Sequence, residues 1–151
     1  LAAARERYPD LIRTGVVEIR EHDLRDSYPA DLRASLTLAV LTIQFTPIEF
    51  RQRIIRDIYR STVPGGALIF VEKILGATAD IDQTMVDIYL GYKARQGYSA
   101  EAIAAKRLSL QGSLVPLSAD WNRDLLRSAG FAQVDCFWRW HNFAGWIAIR
   151  D

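Results

Sequence analysis

The chain of 151 residues is long enough for one domain with a buried core, and its 50% hydrophobic and 25% charged content is that of an ordinary globular protein. Nineteen basic residues against eighteen acidic ones leave a formal charge of +1, which gives no electrostatic reason to expect nucleic acid or an anionic membrane surface, since these usually need a concentrated basic face; a local patch stays open. A lone cysteine, Cys136, excludes an intrachain disulfide and suits a reducing, cytoplasmic setting.

Two isolated histidines, His22 and His141, offer no metal-ligand spacing, so no metal is expected. No apolar run approaches the ~20 residues of a membrane helix. No charged-then-apolar leader opens the chain, so secretion is not expected either.

The opening LAAARERYPDL reads as the tail of a surface helix entered partway, and the 151 residues are therefore expected to be one N-terminally truncated domain. VVEIREHDL (16–24) alternates as a strand, with Val16, Val17 and Ile19 buried and Asp23 at its carboxyl end. Asp26, Ser27, Pro29 and Asp31 mark a loop over 25–33. LTLAVLTIQF (36–45) has the length and β-branched content of a fully buried strand. Pro47 then opens a helix whose apolar stripe is Ile48, Phe50, Ile54, Ile55, Ile58 and Tyr59, with Arg51, Arg53, Arg56 and Asp57 outside. Pro64-Gly65-Gly66 is expected to end that helix and turn the chain into a second buried strand, ALIFVEKIL.

A helical stretch from Asp80 to about Leu110 is interrupted at Gly97-Tyr98-Ser99, where Ser99 reads as a new N-cap. This insert exceeds an ordinary crossover and is expected to cover the site. Ser118 starts a last helix, closed by Gly130. The end, QVDCFWRWHNFAGWIAIRD, reads as two strands bent apart near 142–145, which must be antiparallel. Cys136 is expected to be a buried or half-buried strand residue. The predicted fold is thus α/β: a parallel sheet covered on both faces, with an antiparallel C-terminal hairpin. That arrangement is the Rossmann-like class I S-adenosylmethionine (SAM) methyltransferase fold rather than a dinucleotide dehydrogenase.

The chain carries Asp23-Leu24-Arg25-Asp26, Thr42-Ile43-Gln44-Phe45, Pro64-Gly65-Gly66-Ala67 and Glu72-Lys73. Gly97-Tyr98-Ser99, Lys106-Arg107, Ala129-Gly130-Phe131 and Asn142-Phe143 follow. In these motifs, and from about Val16 to Ile149, it resembles the carboxy-S-adenosyl-L-methionine synthases. Pro-Gly-Gly alone is common among methyltransferases; Gly-Tyr-Ser, a helix and Lys-Arg at this spacing are far more specific. The resemblance implies conversion of SAM and prephenate to carboxy-SAM and phenylpyruvate. The product is then used by a separate enzyme on wobble uridine of tRNA, so no direct nucleic-acid contact is expected. It also implies a homodimer.

Open parallel sheets bind ligands at the carboxyl ends of their strands. The resemblance accordingly makes Asp23 an acceptor for the adenine amino group and the Leu24 N–H a donor to its ring, against the bland alternative of a turn-capping carboxylate. Arg107 matches the family arginine that grips the extra carboxylate of carboxy-SAM, a planar two-pronged task that lysine does not match. Val40 stands where the family has an asparagine beside the amino-acid part of the cofactor, and Gln44 is a substitute or a structural amide. Tyr92 and Tyr98 are candidates for the lid, and Trp121, Trp138, Trp140 and Trp146 for core or dimer surface. The glycine-rich loop and acidic ribose ligand of the family precede the region that Leu1 opens. No general base is assigned, because catalysis in this fold rests on positioning and electrostatics. Two alternatives stay open: a methyltransferase acting on a small molecule, favoured by Val40, and a non-catalytic dimerisation module.

Overall fold

The structure, a computed structural model, describes residues 1–151. Two short helices come first, α1 (Ala2–Arg7) and α2 (Pro9–Arg13), parted where Pro9 begins the second. The predicted strand over 16–24 does not form, and Val16 is 71% exposed. An alternating segment becomes a strand only where a neighbour completes its ladder, and none lies alongside. Arg20 orders the stretch instead, bridging Glu18 at 2.6 Å and Asp31 at 2.8 Å.

β1 (Ala34–Val40) pairs in parallel with β2 (Thr62–Leu75), Leu36 opposite Ala67 through Val40 opposite Val71, and α3 (Ile48–Ser61) connects them. Pro64-Gly65-Gly66 proves to be a bulge inside β2 rather than a turn before it. The register jumps from Ala34 opposite Thr62 to Leu36 opposite Ala67, and Gly65 takes φ +75°. A Cβ on Gly66 would meet the Val63 carbonyl and Thr62 Cγ2 at 2.8 Å, so the bulge needs a glycine there. The end of α3 is closed by Arg150, whose Nη1 donates to the Tyr59 and Arg60 carbonyls at 3.0 Å while the guanidinium lies over the Tyr59 ring.

The two-helix insert is as read: α4 (Ala79–Arg95) and α5 (Ala100–Leu110), parted at Gly97-Tyr98-Ser99, with Ser99 Oγ accepting from the Ala102 N–H at 3.1 Å. β3 (Leu117–Ser118) lies beside the end of β2, and Ser118 caps α6 (Ala119–Ala129). β4 (Gln133–Trp140) and β5 (Phe143–Ile149) form the expected antiparallel hairpin, its turn at His141-Asn142. The sheet order is β1-β2-β5-β4, with β5 antiparallel to β2.

One face of this sheet is closed. Leu68, Phe70 and Ile74 of β2 with Ala144, Trp146 and Ala148 of β5 are buried in one cluster with Ile54, Ile55 and Ile58 of α3 and Leu125, Leu126 and Ala129 of α6. The other face corrects the expectation of two covered sides. Leu36, Leu38 and Val40 are 53%, 64% and 50% exposed, so the strand over 36–45 is buried on one side only and ends at Val40. α4 and α5 contain no fully buried residue and stand over the strand ends rather than across that face. Cys136 is exposed on β4, an edge strand, and not buried as expected. Of the tryptophans only Trp146 is in the core. No helix is long and apolar enough to cross a membrane.

Gly130, at φ +124°, ends α6 with the Tyr59 ring where a Cβ would be, 2.8 Å from Cε1. Gly130→Ala is expected to destabilise the fold by about 2 kcal/mol through overpacking and left-handed backbone strain. Urea unfolding would read this as a lower midpoint at unchanged slope.

Candidate functional site

The site is built where β1 and β2 end. Leu41 takes φ +52° and extends the ladder by one bond, its N–H donating to the Val71 carbonyl at 2.7 Å. The chain then winds into a single 3₁₀ turn, Ile43–Phe45. Its first amides need acceptors, and the buried Glu72 carboxylate of β2 provides them: Ile43 N–H at 3.0 Å and Gln44 N–H at 2.8 Å. Gln44 is structural. Its Oε1 accepts from the Lys73 N–H at 2.9 Å, and its carbonyl accepts from the Val115 N–H and from Arg51.

Arg51, expected on the outer face of α3, is buried. Its guanidinium donates to three carbonyls, those of Thr46 (2.8 Å), Gln44 (3.0 Å) and Val115 (2.9 Å). This corrects the expectation: Arg51 stands three, four and seven residues before Ile54, Ile55 and Ile58 and so shares their inward stripe on α3. Burial pushes the Glu72 carboxyl up to about 7, against the pull of the Gln44, Ile43 and Thr42 amides and of Arg51.

A carboxyl raised from its ordinary 4.5 to about 7 binds its proton more tightly in the folded chain than in the unfolded one. Its contribution to stability is therefore complete below pH 4.5 and is lost as pH rises towards 7, by up to about 3 kcal/mol. Glu72→Gln should flatten that segment: urea unfolding at pH 5 and pH 8 would differ less in the variant than in the parent chain by about 2 kcal/mol.

Above this floor lies a cleft of about 550 Å³. Leu41, Gln44 and Phe45 after β1 and Lys73, Ile74 and Leu75 of β2 form one side; Val86, Tyr89 and Lys93 of α4 and Ile103, Lys106 and Arg107 of α5 form the roof. The insert thus covers the strand ends. Arg107 faces this cleft and pairs with no carboxylate. Asp23 and Leu24 line a separate, shallower hollow of about 380 Å³ with Arg25 and Thr46; the Phe45 side chain is shared by both. Arg25 clasps the Asp23 carboxylate at 2.6 Å and, with its own N–H, holds that carboxyl at about 2. The Leu24 carbonyl is pinned by Arg53 at 2.9 Å. Val40 closes β1 and lines neither hollow.

Tyr92 and Tyr98 do not line the cleft: Tyr92 packs edge-on against Trp140 at 5.1 Å, and Tyr98 is exposed beneath Lys93. Tyr89, one turn before Tyr92, does. The lysines of the cleft were missed as site residues. A signal existed at Glu72-Lys73, since an adjacent charged pair inside an otherwise apolar strand is rarely neutral padding. Nothing in the helical pattern marked Lys93, whereas Arg51 stands on the stripe of Ile54, Ile55 and Ile58 and could have been read as inward from it.

Comparison with known proteins sets this geometry in context. No protein-family model matches the chain. It is 36% identical over 150 residues to the carboxy-S-adenosyl-L-methionine synthase of Methylococcus capsulatus, covering 99% of this chain and 62% of that protein. The enzymes of the same name from Staphylococcus epidermidis and Desulforapulum autotrophicum are 37% and 38% identical over 117 residues, 78% of this chain and 51% and 47% of theirs. The chain thus spans about half to three fifths of the curated relatives it matches. Among solved structures it resembles an O-methyltransferase family protein from Burkholderia thailandensis (TM-score 0.63, 19% identity, 99% of this chain and 40% of that one). It also resembles human N-acetylserotonin methyltransferase in complex with SAM (TM-score 0.56, 16% identity, 87% of this chain and 33% of that one). The fold is that of the class I SAM-dependent methyltransferases, with the mixed sheet described above, and the sequence is related to the carboxy-SAM synthases.

Proposed function

We propose that this chain is the substrate-facing part of a SAM-dependent transferase of the carboxy-SAM synthase type, converting SAM and prephenate to carboxy-SAM and phenylpyruvate. The observation that supports it most is Arg107: an unpaired guanidinium on the roof of a cleft at the carboxyl ends of parallel strands, in a sequence 36% identical to such an enzyme. A guanidinium there suits the extra carboxylate of carboxy-SAM, and the apolar lining suits a small cyclic acid beside it.

In this reading Arg107 grips the carboxylate that distinguishes carboxy-SAM from SAM. Asp23 and the Leu24 N–H meet the adenine edge across Phe45. A carboxylate has about four acceptor positions, so Asp23 would share its oxygens between Arg25 and the nucleobase. Val40 offers the amino-acid part of the cofactor an apolar wall where the family has an amide. The bound cofactor supplies the sulfonium chemistry; this chain supplies orientation, charge and exclusion of water. The uncovered sheet face of Leu36, Leu38 and Val40 suits the portion of the relatives that this chain does not match, and we assign residues 1–151 to one domain with that portion. The protein is cytoplasmic and homodimeric in this reading, and its product is passed to a tRNA-modifying enzyme.

Incubation of the complete protein with SAM and prephenate should yield phenylpyruvate and carboxy-SAM by mass spectrometry. A methylated acceptor with neither product would instead establish the second reading, a methyltransferase acting on a small molecule, which the valine at position 40 favours.

A further inference from the structure

The cleft holds more positive charge than Arg107 accounts for. Lys73, Lys93, Lys106 and Arg107 all line it, none is in an ion pair, and the one lining carboxylate, Asp82, has an oxygen committed to the Gly76 N–H at 2.7 Å. Lys73 and Lys93 share one ring, with Lys93 Nζ also 5.0 Å from the ring of the exposed Tyr98. Lys73 Nζ is 5.4 Å and Lys93 Nζ 5.8 Å from the Tyr89 centroid, and Lys73 Nζ is also 5.4 Å from that of Phe143. The aromatic faces stabilise each ammonium by about 0.5–2 kcal/mol but neutralise nothing. Burial, then Lys93 and then Lys106, hold Lys73 below its ordinary value, the direction expected of like charges crowded without a counter-ion. Beside Phe143 the amide of Asn142 is buried, lines the same cleft, and has an Oδ1 with no hydrogen-bond partner.

We propose that Lys73 and Lys93, assisted by Lys106, form a second anion subsite in this cleft, distinct from Arg107, which takes the carboxylate of a small acid bearing an apolar ring. The Tyr89 and Phe143 rings stack on the ring of that acid and the ammonium groups hold its charged end, while Arg107 stays free for a group on the cofactor. This deepens the reading above and rests on it only for what Arg107 binds. The lysines decide which acid is accepted, and the guanidinium decides which form of the cofactor is.

The test needs no turnover. The whole chain, with its lysines reductively dimethylated using ¹³C, is titrated with 3-phenylpropanoate and followed by NMR, with 3-phenylpropanol as the uncharged control. Saturable binding in the millimolar range that moves the Lys73 and Lys93 resonances is expected, with none from the alcohol. Lys73→Met and Lys93→Met, each checked for folding by circular dichroism, should each weaken it about tenfold, and Arg107→Ala less than threefold, by the ordinary worth of one charged contact. Absence of saturation, equal binding of the alcohol, or loss in Arg107→Ala with both lysine variants unchanged would overturn the proposal. Failure of the carboxy-SAM reading would show separately, as no phenylpyruvate from prephenate while the acid still binds at the lysines.

Discussion

Arg107→Ala is expected to weaken binding of carboxy-SAM by about 30- to 100-fold while changing affinity for SAM by less than threefold. The asymmetry follows from what the guanidinium has to do. The two ligands differ by one carboxylate, and Arg107 has no partner within the protein, so its removal orphans no internal group. The loss is then the charge-assisted pair alone, about 2–3 kcal/mol. Arg107→Lys should recover only part of it, because one ammonium replaces a planar two-pronged contact. Calorimetric titration with both ligands measures the difference. Equal losses for SAM and carboxy-SAM would reassign Arg107 to structure, and no loss for either would remove it from the site.

The largest effect on stability is expected from Arg51→Met, about 4 kcal/mol. The methionine keeps most of the volume and removes every donor, leaving the Thr46, Gln44 and Val115 carbonyls short of a partner beneath the cleft. Each unsatisfied buried acceptor costs about 1–3 kcal/mol, tempered where a second bond remains, as the Val115 N–H remains on Gln44. Glu72 loses its nearby positive charge as well. In a chain of 151 residues a change of this size lowers the melting temperature by about 10 °C. The double variant Arg51→Met, Glu72→Gln should be less destabilised than the two single changes summed, since the Gln44 turn joins them. Full additivity would mean that the two buried groups act independently.

How much of this was legible beforehand differs by element. Alternating and 3.6-residue patterns with their caps located the strands β1 and β2, the four longer helices and the terminal hairpin, with Ser99 and Ser118 at the helix starts. These signals are local: a hydroxyl three residues before an amide, or an apolar stripe, acts within one or two turns. The segment over 16–24 misled because alternation states only that a strand would be amphipathic, not that another chain segment lies alongside. Pro64-Gly65-Gly66 misled because the same residues serve a turn or a bulge, and the register with Ala34 and Leu36 selects the bulge.

The candidate site divides along the same line. Arg107 was marked by its motif, and the structure places it on the cleft. Asp23 and Leu24 lie in the neighbouring hollow, and Val40 in neither, because loop closure around Phe45 and Arg25 is a tertiary matter.

By itself, then, the sequence determined the class of fold, the order of its elements from β1 onward and the one guanidinium with a motif behind it, since periodicity, capping and motif spacing are written in neighbouring residues. Only the tertiary structure decided that Lys73, Lys93 and Tyr89 meet, that Arg51 reaches the Val115 carbonyl and that one sheet face lies open. Those facts depend on contacts between separate elements, such as Lys73 with Tyr89 and Arg51 with Val115, brought together by burial of apolar surface, which has no direction of its own and leaves no local mark on the chain.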